Sequence, residues 1–146
     1  MRQRIFAASI LIAALAVPLA ASGQQGKGPR PRIGDRLAGT HWKVDTVDGR
    51  PVADPSAMTV IFAPEGDQVS GTAGCNKYIG PFASRGDKVT MGILRVTRVE
   101  CSPEQAAMQK ALIDMLHAAY QASVVDGVLT FVSRQGARST LEPLAW

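Results

Sequence analysis

The chain has 146 residues, of which 46% are hydrophobic and 19% charged, a globular balance that excludes disordered and collagenous classes. Its formal charge is +4, too small a surplus for the basic patch or stripe that nucleic-acid binding requires. The length allows one domain once an export segment is set aside.

In chain order, Arg2 and Arg4 precede an apolar run from Ile5 to Leu19, and the small residues Ala20, Ala21 and Ser22 follow. A cationic start, an apolar middle and a small-residue end predict a signal peptide over 1–22. The run falls short of the roughly 20 apolar residues of a spanning helix, and Pro18 interrupts it. The expected product is therefore periplasmic or secreted, with no stable membrane insertion after cleavage. Without Arg2 and Arg4 the basic surplus falls to +2. Residues 23–35 hold Gly26, Gly28, Pro29 and Pro31 with Lys27, Arg30 and Arg32 between them, and read as a flexible linker. The folded domain is expected over 36–146.

Trp42, Val44 and Thr46 alternate with Lys43, Asp45 and Val47, which predicts a half-buried strand ending at the turn pair Asp48-Gly49. Met58, Val60 and Phe62 predict a second strand. Residues 64–67 turn the chain into a third over 68–72. A short strand is expected to begin at Phe82 after a glycine-rich stretch. Arg85-Gly86-Asp87 matches an adhesion tripeptide, but its residues are ordinary turn formers, and Lys88 to Met91 follows as a strand. A further strand lies somewhere in 93–99.

Ser102, Pro103 and Gln105 announce a helix. Ser caps it, Pro takes the first helical position, and Gln closes a capping box. Met108, Ala111, Leu112, Met115, Leu116 and Ala119 recur along one face. After Tyr120 the period returns to two. Val124 and Val125 meet Val128 to Val132 across Asp126-Gly127, a strong hairpin signal, and Arg138 to Leu141 forms the last strand. Hairpin-length links imply antiparallel pairing. The fold class is α+β: a curved antiparallel β-sheet or small β-barrel with one packed α-helix.

The sequence lacks the nucleophile-elbow, zinc-protease and S-x-x-K signatures. His41, Cys75, Cys101 and His117 follow no structural zinc spacing, and both histidines are expected to face away from the core. No metal, cofactor or catalytic residue is assigned. In an oxidising compartment two cysteines predict one disulfide, Cys75 to Cys101. It closes a loop of about 25 residues and contributes roughly 3 kcal/mol in the chain-entropy model. The competing role is a reactive thiol, because Cys101 directly precedes a helix N-terminus.

The most specific feature is Gly71-Thr72-Ala73-Gly74-Cys75-Asn76-Lys77-Tyr78-Ile79-Gly80, followed by Phe82. Thr97-Arg98-Val99-Glu100-Cys101 and the helix come after it. Leu37 to Trp42 and Val47-Asp48-Gly49 stand upstream. Together they resemble the META domain (HslJ-like) family of small bacterial envelope proteins, over about 110 residues. Gly74, Cys75, Asn76, Tyr78, Gly80, Thr97, Arg98 and Cys101 match. The chain differs in having Phe82 where Tyr is common and Val99-Glu100 where apolar residues often precede the second Cys. The resemblance implies a compact, mostly antiparallel β fold with one helix. It also implies an envelope-stress role, since the family includes a heat-shock protein connected with novobiocin resistance.

Within the motif, Asn76 is expected to hydrogen-bond its own turn. Tyr78 and Phe82 are expected to cover one end of the sheet, with the Tyr78 hydroxyl wet. Asn76, Lys77, Tyr78 and Arg98 are the candidate contacts. Three functions compete. The first is a non-catalytic envelope-stress or antibiotic-tolerance binding module. The second is an inhibitor or chaperone-like partner of envelope proteins. The third is a thiol-dependent enzyme using Cys75 or Cys101. The expected state is a monomer whose partner is an envelope protein or a small molecule.

Overall fold

The period-two stretches pair edge to edge until the last meets the first. A computed structural model describes residues 31–145; the expected leader and most of the linker lie outside them. The elements in chain order are α1 (Ile33–Leu37), β1 (His41–Val47), β2 (Arg50–Pro51), a 3-10 turn (Pro55–Ala57), β3 (Thr59–Phe62) and β4 (Gln68–Ala73). There follow β5 (Asn76–Arg85), β6 (Lys88–Met91), β7 (Arg95–Val96), α2 (Pro103–Ala118), β8 (Ala119–Val125), β9 (Val128–Ser133) and β10 (Arg138–Pro143).

Eight strands in the order β1-β3-β4-β5-β6-β8-β9-β10 close into an antiparallel barrel when β10 returns to β1, pairing Trp42 with Pro143 and Val44 with Leu141. An eight-stranded barrel is just wide enough for side chains to fill. Val44, Val60, Phe62, Val69, Val89, Leu129, Phe131 and Leu141 fill this one, and the Phe62 and Phe82 rings meet edge to face at 4.9 Å. Both Asp-Gly hairpin turns take the expected form, with positive φ at Asp48, Gly49, Asp126 and Gly127.

Each end of the barrel carries a helix. At the end that holds the β4–β5 turn, α2 touches β1, β4, β6 and β9 and buries Leu112, Met115 and Leu116. Its N-terminus is capped as expected: Ser102 Oγ accepts from Gln105 N, and Gln105 Oε1 accepts from Ser102 N, both at 3.2 Å. At the other end α1 touches β5, β6 and β8.

Two expectations need correction. The linker expected to run to residue 35 stops earlier, because Ile33 and Gly34 are buried within α1 and Leu37 is fully enclosed. A lone Ile among glycines and prolines gives no periodicity, yet Ile33 N donates to Gly86 O at 2.9 Å and anchors the helix on the β5–β6 turn. The strand expected to begin at Phe82 begins at Asn76: the glycine-rich stretch holds the end of β4, the turn at Gly74 and Cys75, and the first half of the ten-residue β5. Pro81 is tolerated inside it because its carbonyl accepts from Gly92 N. The side of β5 that lacks an N–H there faces the break between β6 and β7.

If α1 closes the lower end, Leu37→Ala should cost about 2–5 kcal/mol in urea unfolding. Removing the exposed Asp35 side chain should change stability by less than about 1 kcal/mol. An unchanged midpoint for Leu37→Ala would mean the helix adds nothing to the core.

Candidate binding surface

The family-like motif folds into one corner. The β4–β5 turn carries Gly74 at φ +63°, with its α-carbon facing the first turn of α2; a Cβ there would lie 2.2 Å from Gln105 O. Only glycine lets the helix settle this close. Cys75 follows and is joined to Cys101 as a disulfide, with the α-carbons 5.7 Å apart. Asn76, only 4% exposed, touches its own turn only through a long contact from Nδ2 to Cys75 Sγ at 3.6 Å; its shorter hydrogen bonds reach elsewhere. Its Nδ2 donates to Gln109 Oε1 at 2.8 Å and to Val99 O at 3.2 Å, with Cys101 Sγ also at 3.2 Å. Its Oδ1 accepts from Val99 N and Thr97 Oγ1, both at 2.7 Å. Two donors and two acceptors thus fill the amide's capacity, and the side chain ties β5 to the 97–101 segment and to α2.

Tyr78 is 3% exposed. Its hydroxyl is buried rather than wet, and donates to Thr59 O at 2.8 Å. Thr72 N donates to Thr59 Oγ1 at 2.9 Å, so side chains bridge β3 and β4 where their ladder opens. Burial raises the Tyr78 phenol far above its ordinary value of 10.0. Asn76 and Tyr78 therefore leave the set of candidate contacts. Their polar atoms point into the fold because both side chains stand on the inward face of β5.

Lys77 and Arg98 are exposed as expected. Around them lies a surface the sequence reading only half found. The chain from Gly92 to Cys101 runs alongside β5 as a strap that pairs with it through β7, and Gly80 makes room for it: a Cβ there would meet Ile93 O at 2.8 Å. The strap carries Arg95 and Arg98 outward, together with Ile93, 85% exposed, and Val99, 61% exposed. Among the described residues, Lys77, Arg95 and Arg98 form no ion pair.

Two grooves flank the strap. One, of about 610 Å³, lies on the barrel wall between Ile61, Thr72, Lys77, Ile79 and Arg95. The other, of about 590 Å³, lies between β7 and α2, with Leu94, Arg98 and Gln109 on its sides. Arg95 and Ile79 went unnoticed in the sequence. The available signal was the spacing of Arg95 and Arg98 among Ile93, Val96 and Val99, which places cations and apolar residues on one exposed ribbon.

Among the described residues, no group of His, Cys, Asp and Glu has metal-holding geometry, and no helix is long and apolar enough to cross a membrane.

A closed, filled barrel with a stapled corner and a cationic outer ribbon defines a small domain built around its shared motif. The META domain family model matches residues 35–146, and the chain belongs to that family. Three solved structures share the fold. An NMR structure of a protein from Burkholderia xenovorans is 22% identical, with TM-score 0.63, covering 95% of this chain and all of that one. A second NMR structure is 20% identical with TM-score 0.58, covering 75% and 92% of the two chains. A crystal structure of a DUF4847 family protein from Bacteroides vulgatus is 13% identical with TM-score 0.56, covering 75% and 94%. No curated protein matches the sequence.

The alkaline limb of stability tests the burial of Tyr78. An unfolded phenol ionises near 10 while the folded one stays protonated, so the native state binds the extra proton. Stability from this group is intact below pH 10 and falls above it, by about 1.4 kcal/mol per pH unit. Tyr78→Phe should cost about 1–2 kcal/mol at neutral pH and flatten that limb. For Asn76→Ala we expect a loss of about 3 kcal/mol, while Lys77→Ala stays within about 0.5 kcal/mol. Denaturant titrations at neutral and alkaline pH measure all three.

Proposed function

We propose that this chain is an exported, non-catalytic binding module of the cell envelope, acting in stress or antibiotic tolerance through the ribbon formed by β5 and the 92–101 strap. The observation that carries this reading is the division of labour within the motif. Gly74, Cys75, Asn76 and Tyr78 are committed to the fold, whereas Lys77, Arg95 and Arg98 remain exposed beside apolar grooves and, among the described residues, without an ion pair. Exposed cations next to apolar surface favour anionic partners and speed their encounter. Family membership and the leader-like N-terminus support the envelope setting.

The thiol-enzyme reading needs a free, low-pKa thiolate, and both sulfurs are joined. The inhibitor or chaperone-like reading is a special case of the binding module, distinguished by a protein partner.

Two measurements test the proposal. Intact mass of the protein taken from its native compartment should lack the leader and two hydrogens, and denaturing alkylation should add nothing. A retained leader, or alkylated thiols, overturns the envelope setting or the staple. Secondly, the triple charge reversal Lys77→Glu, Arg95→Glu and Arg98→Glu should abolish stress tolerance in cells while export and unfolding midpoint stay close to the parent. Full tolerance in that variant would remove the ribbon as the contact surface.

A further inference from the structure

Resting on the ribbon as contact surface, we infer that the open edge of β7 receives an extended, acidic segment of a partner protein as an added strand. The backbone supplies the first reason. Thr97 N donates to Lys77 O at 2.9 Å, and the register pairs Tyr78 with Val96 and Ile79 with Arg95. Bonded and unbonded pairs alternate in an antiparallel ladder, so Thr97 and Arg95 point their amides at β5. Val96 then turns its N–H and C=O the other way, toward the groove between β7 and α2.

That direction is open because the barrel wall changes partners here. β6 meets β8 through the pair Lys88 with Gln121, and Ala122 N donates to Asp87 O at 2.9 Å. Beyond Met91 the chain bulges through Gly92, Ile93 and Leu94. By the time it straightens as β7, its neighbour is no longer a strand but α2, with Gln109 across a groove of about 590 Å³. A strand edge facing such a groove is a template for strand addition, in which backbone bonds give affinity and alternate side chains give specificity.

Side chains select the occupant. Arg95 and Arg98 flank the edge, and Lys77 stands next to them on β5. Among the described residues, no ion pair neutralises any of the three. An added strand carrying Asp or Glu at alternate positions meets these cations. Its intervening apolar side chains have Leu94 and Val96 on the groove wall to pack on. The same charges repel a second copy of this chain at this edge, so self-pairing is disfavoured.

The test titrates a capped seven-residue peptide of alternating Glu and Val into the oxidised, 15N-labelled protein. Binding should shift the amide signals of residues 94–99 and slow hydrogen exchange at Val96. Arg95→Glu with Arg98→Glu should weaken it by about tenfold or more, Arg138→Glu on the far strand should leave it unchanged, and the matching Lys-Val peptide should fail to bind. Methylating alternate peptide nitrogens should abolish the Val96 effect. Binding that ignores N-methylation, or that spares Val96, overturns strand addition. Displacement of the peptide's signals by dodecanoate in the wall groove, with no effect at Val96, assigns the ribbon to an anionic amphiphile instead. If no peptide binds but the triple charge reversal still abolishes tolerance, strand addition is wrong and the binding-module reading stands. If tolerance also survives the reversal, both are wrong.

Discussion

Two adjacent side chains, Cys75 and Asn76, hold the upper end of this molecule together. The passage from Gly92 to Ser102 has only the two-residue β7 for regular pairing, far too little to fix its path. The disulfide sets where the passage ends, and the Asn76 amide sets how it gets there. The two act differently. A cross-link chiefly restricts the unfolded chain. A fully satisfied buried amide penalises every folded alternative that would leave one of its partners unpaired. Because Gln109 is among those partners, the clamp also fixes α2, and through it the cover over the barrel.

This clamp connects the core to the surface. The ribbon's cations are exposed, yet their backbone is fixed from behind by the interactions that Asn76 and Cys75 make. A surface held in this way loses little freedom when it binds. The motif thus acts at one remove: its buried residues position exposed ones that lie mostly outside it, on the strap. Residues that matter for recognition need not resemble those that define the family, and Arg95 stands outside the motif altogether.

Much of the fold was legible because local signals agreed with one another. Ser102, Pro103 and Gln105 placed the start of α2, and two Asp-Gly pairs placed hairpins whose positive φ values they favour. Elements were missed where local chemistry and tertiary context disagree. Ile33 sits among helix breakers, and only the buried surface of the barrel's lower end makes a helix of its segment. Gly80 and Pro81 read as punctuation but lie inside the longest strand, since the bulging strap needs a flat surface at one and no amide at the other. Tyr78 was misread for a related reason. A phenol is amphipathic, and sequence does not reveal that Thr59 offers a carbonyl in the interior. The exposed half of the candidate site, Lys77 and Arg98, was found because flanking residues of a rigid corner are accessible by default. Asn76 was misplaced because the partners of its shorter hydrogen bonds lie more than twenty residues away.

Closure of the barrel decides where the proposed recognition can take place. A barrel of eight strands removes edges by pairing them all, and Phe62, Phe131 and their neighbours leave this one filled. What remains is its outer wall and the two short strands that lie off the closed path, β2 and β7. They are not equivalent. β2 is a two-residue arm on β1 whose outer residue, Pro51, has no N–H to offer, a common way of blunting an edge. β7 contains no proline, keeps the Val96 amide, and is bordered by cations rather than covered by another element. A closed fold with one blunted edge and one charged, open edge concentrates its capacity for backbone recognition at a single place, where the disulfide-stapled corner already holds the chain rigid.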